Sequence, residues 1–217
     1  MKKKIFLYIG ISIVSISIVV SVSLILNDSD KKFNALSLPE LEFTYDASNL
    51  KLKEKLAIFD ISMSSPIKLI NRNFLEEICT FFKNEELQNQ VEYCTSTELK
   101  DSEGNFMGNI HMVGTRQLPK IVLVVIQTNP FIEDPENLDE LKTVYNVVIK
   151  ELVCDCWHEV QPGDIETVAR WVDKQRDFHT SDTKPTSKSN LSLSGMQLQM
   201  ELTTNTEGYL WKLLISG

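Results

Sequence analysis

The sequence predicts an α+β domain that follows an amino-terminal transmembrane helix. Several segments alternate apolar and polar residues, which is typical of antiparallel strands with one buried face. Other segments place apolar residues three and four positions apart, as in helices that pack on a sheet. A long uncharged run at the amino terminus predicts the membrane helix. We therefore expect a signal anchor over 1–26, a stalk over 27–39 and one domain over 40–217, with an antiparallel sheet of about five or six strands and packed helices.

The amino-terminal segment is expected to remain as an anchor. The run from Ile5 to Leu26 contains no charged residue and follows Lys2, Lys3 and Lys4. It is long enough to cross a bilayer, which takes about 20 residues as a helix. A cleavable signal peptide is the alternative, but its apolar region usually spans about 7 to 15 residues, and no Ala-x-Ala site follows here. The positive-inside rule then predicts a single-pass membrane protein with a cytoplasmic amino terminus and an extracytoplasmic domain.

The charge of the expected domain differs from that of the whole chain. The 217 residues carry a formal net charge of -8, from 22 basic and 30 acidic residues. Because the anchor contains three lysines and no acidic residue, the remainder has a net charge of -11. This acidity argues against a nucleic-acid partner, since phosphate binding requires clustered lysine and arginine. Roughly 190 residues remain after the anchor, enough for one domain with a hydrophobic core.

The start of the domain is predicted to contain one strand and two helices. Leu41, Phe43 and Tyr45 alternate with polar residues, which predicts a strand. The segment 48–61 also alternates over a few positions, but its wider spacing favours a helix capped near Ser48. A clearer helix is expected over 73–83, capped by Asn71 or Asn73, with an apolar face formed by Phe74, Leu75, Ile78 and Phe82.

The main sheet is predicted from three segments. Alternation over 91–99 and again over 106–112, separated by turn-forming residues at 101–104, predicts a hairpin. The segment 121–126 consists of apolar and mostly β-branched residues, which is typical of a strand that is covered on both faces. Helices are therefore expected on at least one side of the sheet, with further structure on the other.

The longest helical pattern follows this strand. Its apolar positions are Leu138, Leu141, Tyr145, Val148, Leu152 and Cys156. Acidic residues gather over 133–140, where a helix amino terminus favours negative charge, and they lack the spacing of a calcium-binding loop. Asp164 is predicted to cap a second helix, with a buried line from Ile165 to Gln175.

The last segments are predicted to form a loop and a final hairpin. The polar composition over 180–190 indicates a solvated loop. Beyond it the apolar positions change from odd to even numbers at Ser194 and Gly195, which we interpret as a β-bulge. Turn residues over 205–208 separate this strand from the closing strand over 209–215.

The four cysteines are expected to form two disulfides, since they lie outside the cytoplasm in this topology. Cys79 with Cys94 is the preferred pair, because the first flanks a helix and the second lies on the following strand. The remaining pair, Cys154 with Cys156, is incompatible with a regular helix. An alternative joins the earlier two cysteines to the later two, and both cases stay open.

The string from Cys154 to His158 contains candidate metal ligands. Thiolate and imidazole groups bind zinc and cuprous copper. In an extended segment Cys154, Cys156 and His158 point to one face, whereas in a helix the two cysteines diverge. The helical line that ends at Cys156 favours the second case, with Cys156 buried and Cys154 nearer the surface. A structural zinc site also needs a fourth ligand, which only His111 or His179 can supply from elsewhere.

Other functional motifs are few. The chain lacks a Gly-x-Ser-x-Gly element, a phosphate-binding glycine loop and a Cys-x-x-Cys redox motif, so no catalytic residue and no cofactor is predicted from motifs. His158 and His179 are expected at helix carboxyl ends, where the helix dipole favours them. Asn190 is the better of two N-glycosylation acceptors, since it borders the predicted polar loop.

The last third of the chain carries a resemblance. The residues concerned are Cys154-Asp155-Cys156-Trp157, Pro162-Gly163-Asp164 and the run 203–211, Thr-Thr-Asn-Thr-Glu-Gly-Tyr-Leu-Trp. In these residues the chain resembles uncharacterised membrane-anchored extracytoplasmic proteins of archaea. The resemblance implies a membrane location and no particular activity.

The sequence therefore predicts a membrane-tethered extracytoplasmic domain that binds a ligand or another protein, or assembles with copies of itself. The anchor, the acidic composition and the lack of a catalytic motif favour binding over catalysis. The alternative is a protein that handles thiols or metals, zinc or copper, through Cys154, Cys156 and His158.

Overall fold

A computed structural model describes residues 38–79, 88–128, 135–181, 185–206 and 208–217. The segment predicted as an anchor and most of the segment predicted as a stalk lie outside these residues. Among the described residues, no helix is both long and apolar enough to span a bilayer.

An eight-stranded sheet forms the centre of the domain, where the sequence predicted about five or six strands. Its strands are β1 (Ser62–Met63), β2 (Ile67–Leu69), β3 (Tyr93–Lys100), β4 (Phe106–Gly114), β5 (Pro119–Thr128), β6 (Thr186–Leu193), β7 (Met196–Asn205) and β8 (Gly208–Ser216). They pair in the order β1-β3-β4-β5-β8-β7-β6, and β2 also pairs with β3. Each pair is antiparallel.

The helices lie mainly on one face of this sheet. They are α1 (Tyr45–Ala57), α2 (Arg72–Phe74), α3 (Pro135–Leu152), α4 (Trp157–Val160) and α5 (Val168–Ser181). The main hydrophobic core lies between the sheet and α1, α3, α4 and α5. A smaller core lies on the other face, where a π-helical segment, Leu75–Cys79, continues α2.

Strand β5 is buried on both faces, as the sequence predicted. Its residues Val122, Val124 and Ile126 belong to the main core. Ile121 belongs to the smaller core on the other face. Because β5 lies between β4 and β8 near the middle of the sheet, apolar residues are favoured at every position that a layer covers.

The segment 41–45 forms no strand, and α1 begins earlier than predicted. Thr44, rather than Ser48, caps this helix, since its side-chain oxygen accepts a hydrogen bond from the Ala47 backbone N–H at 3.4 Å. Ser48 lies inside the helix and is buried. The alternation that predicted a strand reflects burial of Leu41 ahead of the helix and of the first helical residue, which needs no extended chain.

The segment that contains α2 has two apolar faces, where the sequence predicted one. Leu75 and Cys79 are buried, whereas Phe74 and Ile78 are exposed. A turn of the π-helical segment contains more residues than a turn of an α-helix. The residue spacing of an α-helix therefore assigns residues from both faces to one side. Phe82, also assigned to the predicted face, lies outside the described residues.

Helix α3 ends at Leu152, one turn before the predicted end at Cys156. The backbone N–H groups of Val153 and Cys154 both donate to the Ile149 carbonyl, at 2.9 and 3.2 Å. This shared acceptor ends the regular helical hydrogen bonding. Both cysteines therefore lie in the connection to α4, and Cys156 is half-buried instead of buried as predicted.

Thr167, rather than Asp164, caps α5, since its hydroxyl accepts a hydrogen bond from the Arg170 backbone N–H at 3.0 Å. Asp164 belongs to a 3-10 turn before the helix. The segment 180–190, predicted as a loop, contains the end of α5 and the first part of β6. Polar residues are compatible with a strand here because β6 lies at an edge of the sheet.

The β-bulge predicted at Ser194 and Gly195 is instead a two-residue hairpin turn. Both residues have positive φ angles, 52° and 83°, as a type I′ turn requires. Leu193 pairs with Met196 across the turn. The apolar positions change from odd to even numbers because residues paired across a two-residue turn share one face of the sheet.

Candidate functional site

The cysteine string predicted as a metal site forms a disulfide. Cys154 and Cys156 are bonded, with their Cα atoms 5.2 Å apart. The two cysteines are half-buried, and Asp155 between them is exposed. The Asp155 carboxylate forms an ion pair with the Lys150 ammonium group at 2.8 Å and raises the pKa of Lys150. This ion pair connects the disulfide loop to the last turn of α3.

Trp157 holds the disulfide loop against the main core. Its indole N–H donates to the Ile165 carbonyl at 2.9 Å, and its ring packs against Trp171 with centroids 5.7 Å apart. The Cys156 carbonyl accepts hydrogen bonds from two backbone N–H groups of α4. The loop is therefore held by α3 on one side and by α4 on the other.

A disulfide provides no thiolate ligand, so metal binding at this string requires that both cysteines are first reduced. His158, the third predicted ligand, is exposed in α4. Within the described ranges, no group of three or more His, Cys, Asp and Glu residues is placed to hold a metal ion. The arrangement at this string is that of a disulfide loop.

The second disulfide joins Cys79 to Cys94, the pair preferred from the sequence. Both residues are fully buried, in the smaller core with Leu75 and Val113. The bond connects the π-helical segment to β3 across a sequence separation of 15 residues. Its burial and its long loop indicate a structural role.

Strand β6 forms one edge of the sheet. In the part of the chain that the structure describes, it pairs with β7 and with no other strand. At the opposite edge, β1 and β2 cover different parts of β3. The β6 edge is therefore the longer of the two, with eight residues against the two or three of β1 and β2.

The hairpin register identifies the backbone groups of β6 that point away from the sheet. Leu193 and Met196 flank a two-residue turn, so they exchange both of their hydrogen bonds. Alternate residues from Leu193 backwards then bond to β7, and the residues between them direct their N–H and C=O groups outward. These outward residues are Thr186, Lys188, Asn190 and Ser192.

Asn190, the predicted glycosylation acceptor, is exposed in the middle of this edge. The polar loop in which it was expected is a strand. Its exposed amide is compatible with glycan attachment. Glycosylation at Asn190 stays a prediction.

A row of three charged residues crosses β6, β7 and β8 on the face opposite the main core. Lys188 lies opposite Glu201, and Glu201 lies opposite Lys212. Glu201 and Lys212 are 2 % and 4 % exposed. The Glu201 carboxylate lies 3.4 Å from each of the two ammonium groups. Burial lowers the pKa of Lys212, because the charged form loses its hydration.

No sequence motif marks this row, although two hairpin registers determine it. Asn205 pairs with Gly208, and counting back along both strands places Glu201 opposite Lys212. The turn at 194–195 places Lys188 opposite Glu201 in the same way. The interpretation of that turn as a bulge concealed the second pair.

His179 lies in a buried polar cluster between α5 and the sheet. Its two ring nitrogens lie 2.9 Å from the Ser187 hydroxyl and 2.7 Å from the Thr204 hydroxyl. The Gln175 side-chain amide also donates to Ser187, at 2.7 Å. Burial lowers the pKa of His179, which favours the neutral ring. The predicted position at a helix end is confirmed, but the sequence did not indicate that the ring is enclosed.

His111 lies on β4, on the face opposite the main core. Its ring Nδ1 atom is enclosed, and burial lowers the pKa of His111 to about 4. Neither His111 nor His179 completes a metal site among the described residues.

Comparisons with protein-family models, with curated proteins and with solved structures found no match to this chain. The resemblance to archaeal membrane-anchored proteins therefore stays a prediction. The disulfide loop and the β6 edge are interpreted from their own geometry.

Proposed function

We propose that this protein is a membrane-tethered extracytoplasmic domain that binds another protein by strand addition at β6. The proposal rests mainly on the eight-residue edge of β6, where alternate residues direct N–H and C=O groups away from the sheet. An extended partner segment can pair with these groups and gain affinity from main-chain hydrogen bonds. The predicted anchor and the two disulfides support a location outside the cytoplasm.

Among the described residues, the β6 edge has little of the usual protection against strand addition. Free edges in natural sheets commonly carry lysine, proline or a β-bulge. Strand β6 contains no proline, and its pairing with β7 proceeds without a register shift. Its one charged residue, Lys188, forms an ion pair with Glu201 at 3.4 Å. This ion pair partly neutralises the charge that the lysine places at the edge.

A second copy of this chain is the partner that the sequence of β6 favours. Antiparallel pairing of two β6 strands about a two-fold axis at Ser189 places Lys188 of each copy opposite an asparagine. Like charges therefore do not meet across the new pair. Anchoring both copies in one membrane also raises their effective concentration.

The variant Asn190→Pro tests this interface. It removes one outward N–H and places a ring at the free edge, while the hydrogen bonds to β7 come from neighbouring residues. We expect the full-length wild-type protein to form dimers in liposomes. The variant should have a dimer dissociation constant that is about tenfold higher or more, which corresponds to about 1.4 kcal/mol. Single-molecule photobleaching of labelled protein measures the dimer fraction.

Asn190→Thr is the matched control, because it keeps the backbone N–H and also removes the glycosylation acceptor. It should dimerise as the wild type does. Thermal unfolding of both variants shows whether β6 stays folded. A wild-type protein that is monomeric at micromolar concentration would contradict self-association, and equal dimerisation of the two variants would contradict the use of β6.

A second candidate function is thiol–disulfide exchange at Cys154 and Cys156. A thiolate of a partner dithiol attacks one sulfur, forms a mixed disulfide and releases the other cysteine as a thiolate. The second partner thiol then attacks the mixed disulfide. The partner becomes oxidised, and the cysteine pair gains two electrons and two protons. This disulfide is half-buried, whereas the one between Cys79 and Cys94 is fully buried, so a partner thiolate can reach it more readily.

Graded reduction of the full-length protein tests this candidate. Samples treated with dithiothreitol are alkylated at intervals, and mass spectrometry assigns the modified cysteines. We expect Cys154 and Cys156 to react on the order of tenfold faster than Cys79 and Cys94, since attack depends on access to the sulfur. Equal rates for the two disulfides would rule out a selective exchange site.

A further inference from the structure

Four exposed apolar side chains lie between Ile67 and Cys79, and we call them the apolar ridge. Its side chains are Ile67, Ile70, Phe74 and Ile78, which are 64, 61, 52 and 37 % exposed. Single exposed apolar residues are common on soluble domains, but several in one short segment mark a contact surface.

The apolar ridge is held in place by the smaller core. Leu75 and Cys79, on the inner side of the same helical segment, are 2 % and 0 % exposed. The disulfide from Cys79 to Cys94 bonds this segment to β3. The ridge side chains therefore cannot turn inward without disrupting the smaller core.

The described chain enters the domain beside this smaller core. Leu38 is buried in it together with Leu75. Three residues later, the Leu41 backbone N–H donates to the carbonyl of Pro119, the first residue of β5, at 2.7 Å. The entry point therefore lies at the end of the sheet where β5 begins.

The strand register places the apolar ridge at the same end. Pro119 pairs with Gly114, and Gly114 also pairs with Tyr93, the first residue of β3. Strand β2 ends at Leu69, opposite Cys94. The helical segment that carries Phe74 and Ile78 of the ridge therefore begins beside the chain entry.

The predicted stalk limits the distance between this end of the domain and a bilayer. Residues 27–37 span at most about 40 Å when fully extended. A domain of this length has a radius of gyration of about 16 Å, hence a diameter of roughly 40 Å. The chain entry at Leu38, and the ridge beside it, are therefore expected to lie within about 40 Å of the membrane surface.

Two described basic residues beside the ridge are paired with carboxylates. The Lys68 ammonium group lies 2.8 Å from the Asp46 carboxylate, and the Arg72 guanidinium lies 2.6 Å from the Glu76 carboxylate. These ion pairs leave little positive charge to attract anionic lipid. A contact between the ridge and a bilayer must therefore depend on apolar insertion.

We infer that the apolar ridge inserts into the interfacial layer of the bilayer in which the chain is anchored. The inference rests on the proposed membrane tether and gives the domain an orientation. The ridge lies on the β3 side of the sheet, whereas β6 forms the opposite edge. Insertion of the ridge therefore leaves the β6 edge available to a partner.

Tryptophan fluorescence tests this orientation in the full-length protein. The variants Phe74→Trp and Phe178→Trp are reconstituted in nanodiscs of phosphatidylcholine with brominated acyl chains, which quench nearby tryptophan. Phe178 is a matched control, because it is also 52 % exposed but lies on α5, across the sheet from the ridge. The native residues Trp157, Trp171 and Trp211 are at most 8 % exposed, and the wild-type protein measures their contribution.

We expect quenching of the Phe74→Trp variant to be about twofold greater or more than that of the Phe178→Trp variant, and to persist at high salt, as apolar insertion predicts. Equal quenching of the two variants would overturn the inference. If Phe74→Trp abolishes cooperative unfolding, Ile70→Trp replaces it in the same comparison.

Alkaline carbonate extraction of wild-type membranes separates this inference from the proposed function. Release of the protein into the soluble fraction would contradict the tether. Retention in the membrane together with equal quenching would contradict only the insertion of the ridge.

Discussion

Glu201→Gln is expected to lower the free energy of unfolding by about 3 to 5 kcal/mol at neutral pH. Glu201 is 2 % exposed and lies 3.4 Å from the ammonium group of Lys212, which is 4 % exposed. The neutral amide leaves this lysine buried without an opposite charge, and burial already lowers the pKa of Lys212. Urea unfolding of the wild type and the variant measures the difference.

Two further variants separate the loss of charge pairing from the loss of packing. Glu201→Leu with Lys212→Leu removes both buried charges, and should recover most of the stability, since apolar groups replace a buried ion pair at little cost. Lys188→Gln, at the half-buried member of the row, should cost about 1 kcal/mol or less. A loss below about 1 kcal/mol for Glu201→Gln would contradict the burial of this row.

Cys79→Ser with Cys94→Ser is expected to lower the free energy of unfolding by about 3 kcal/mol. The disulfide closes a loop with a sequence separation of 15 residues, so its loss restores considerable freedom to the unfolded chain. The substitution also places two hydroxyl groups in the smaller core, where both positions are fully buried. Chemical unfolding under non-reducing conditions measures the change.

Cys154→Ser with Cys156→Ser is the matched comparison. Its sequence separation is 2 residues, for which the same chain-entropy relation gives only about 1.5 kcal/mol. Both positions are half-buried, so the new hydroxyl groups retain contact with water. A larger loss for this pair than for Cys79 and Cys94 would contradict the assignment of the structural role.

Local patterns predicted most strands, because the order of apolar and polar residues in each strand reflects which of its sides is buried. The apolar run at 121–126 predicted a strand covered on both faces, and β5 has that environment. Alternation over 91–99 and 106–112 predicted the hairpin of β3 and β4. Alternation reports which side of a segment is buried, and this information is local.

The same patterns were wrong where burial had another cause. Leu41 is buried ahead of α1, and Tyr45 is buried as the first residue of that helix. Together they produce the spacing of a strand. At Ser194 the change of phase came from a tight turn, because a bulge and a two-residue turn both shift the apolar positions by one. Pairing partners distinguish these cases, and sequence spacing does not.

The two disulfides also differ in how far the sequence predicted them. Cys79 and Cys94 were paired from their adjacent elements, since a short connection keeps a helix and the next strand close together. Cys154 and Cys156 were assigned to a helix, because the apolar line of α3 extends past its last helical residue. A shared backbone acceptor ends that helix and allows the disulfide.

Sequence patterns alone predicted the α+β class, most strands and helices, a preferred disulfide pair and the charge of each part of the chain. These properties depend on residues that are close together along the chain. The three-dimensional packing was needed to show that β6 is an edge, that Glu201 lies between two lysines and that the apolar ridge lies beside the chain entry. These properties depend on which distant segments pack together, because an edge, a buried charge or an exposed apolar side chain is defined by the neighbours that tertiary packing supplies.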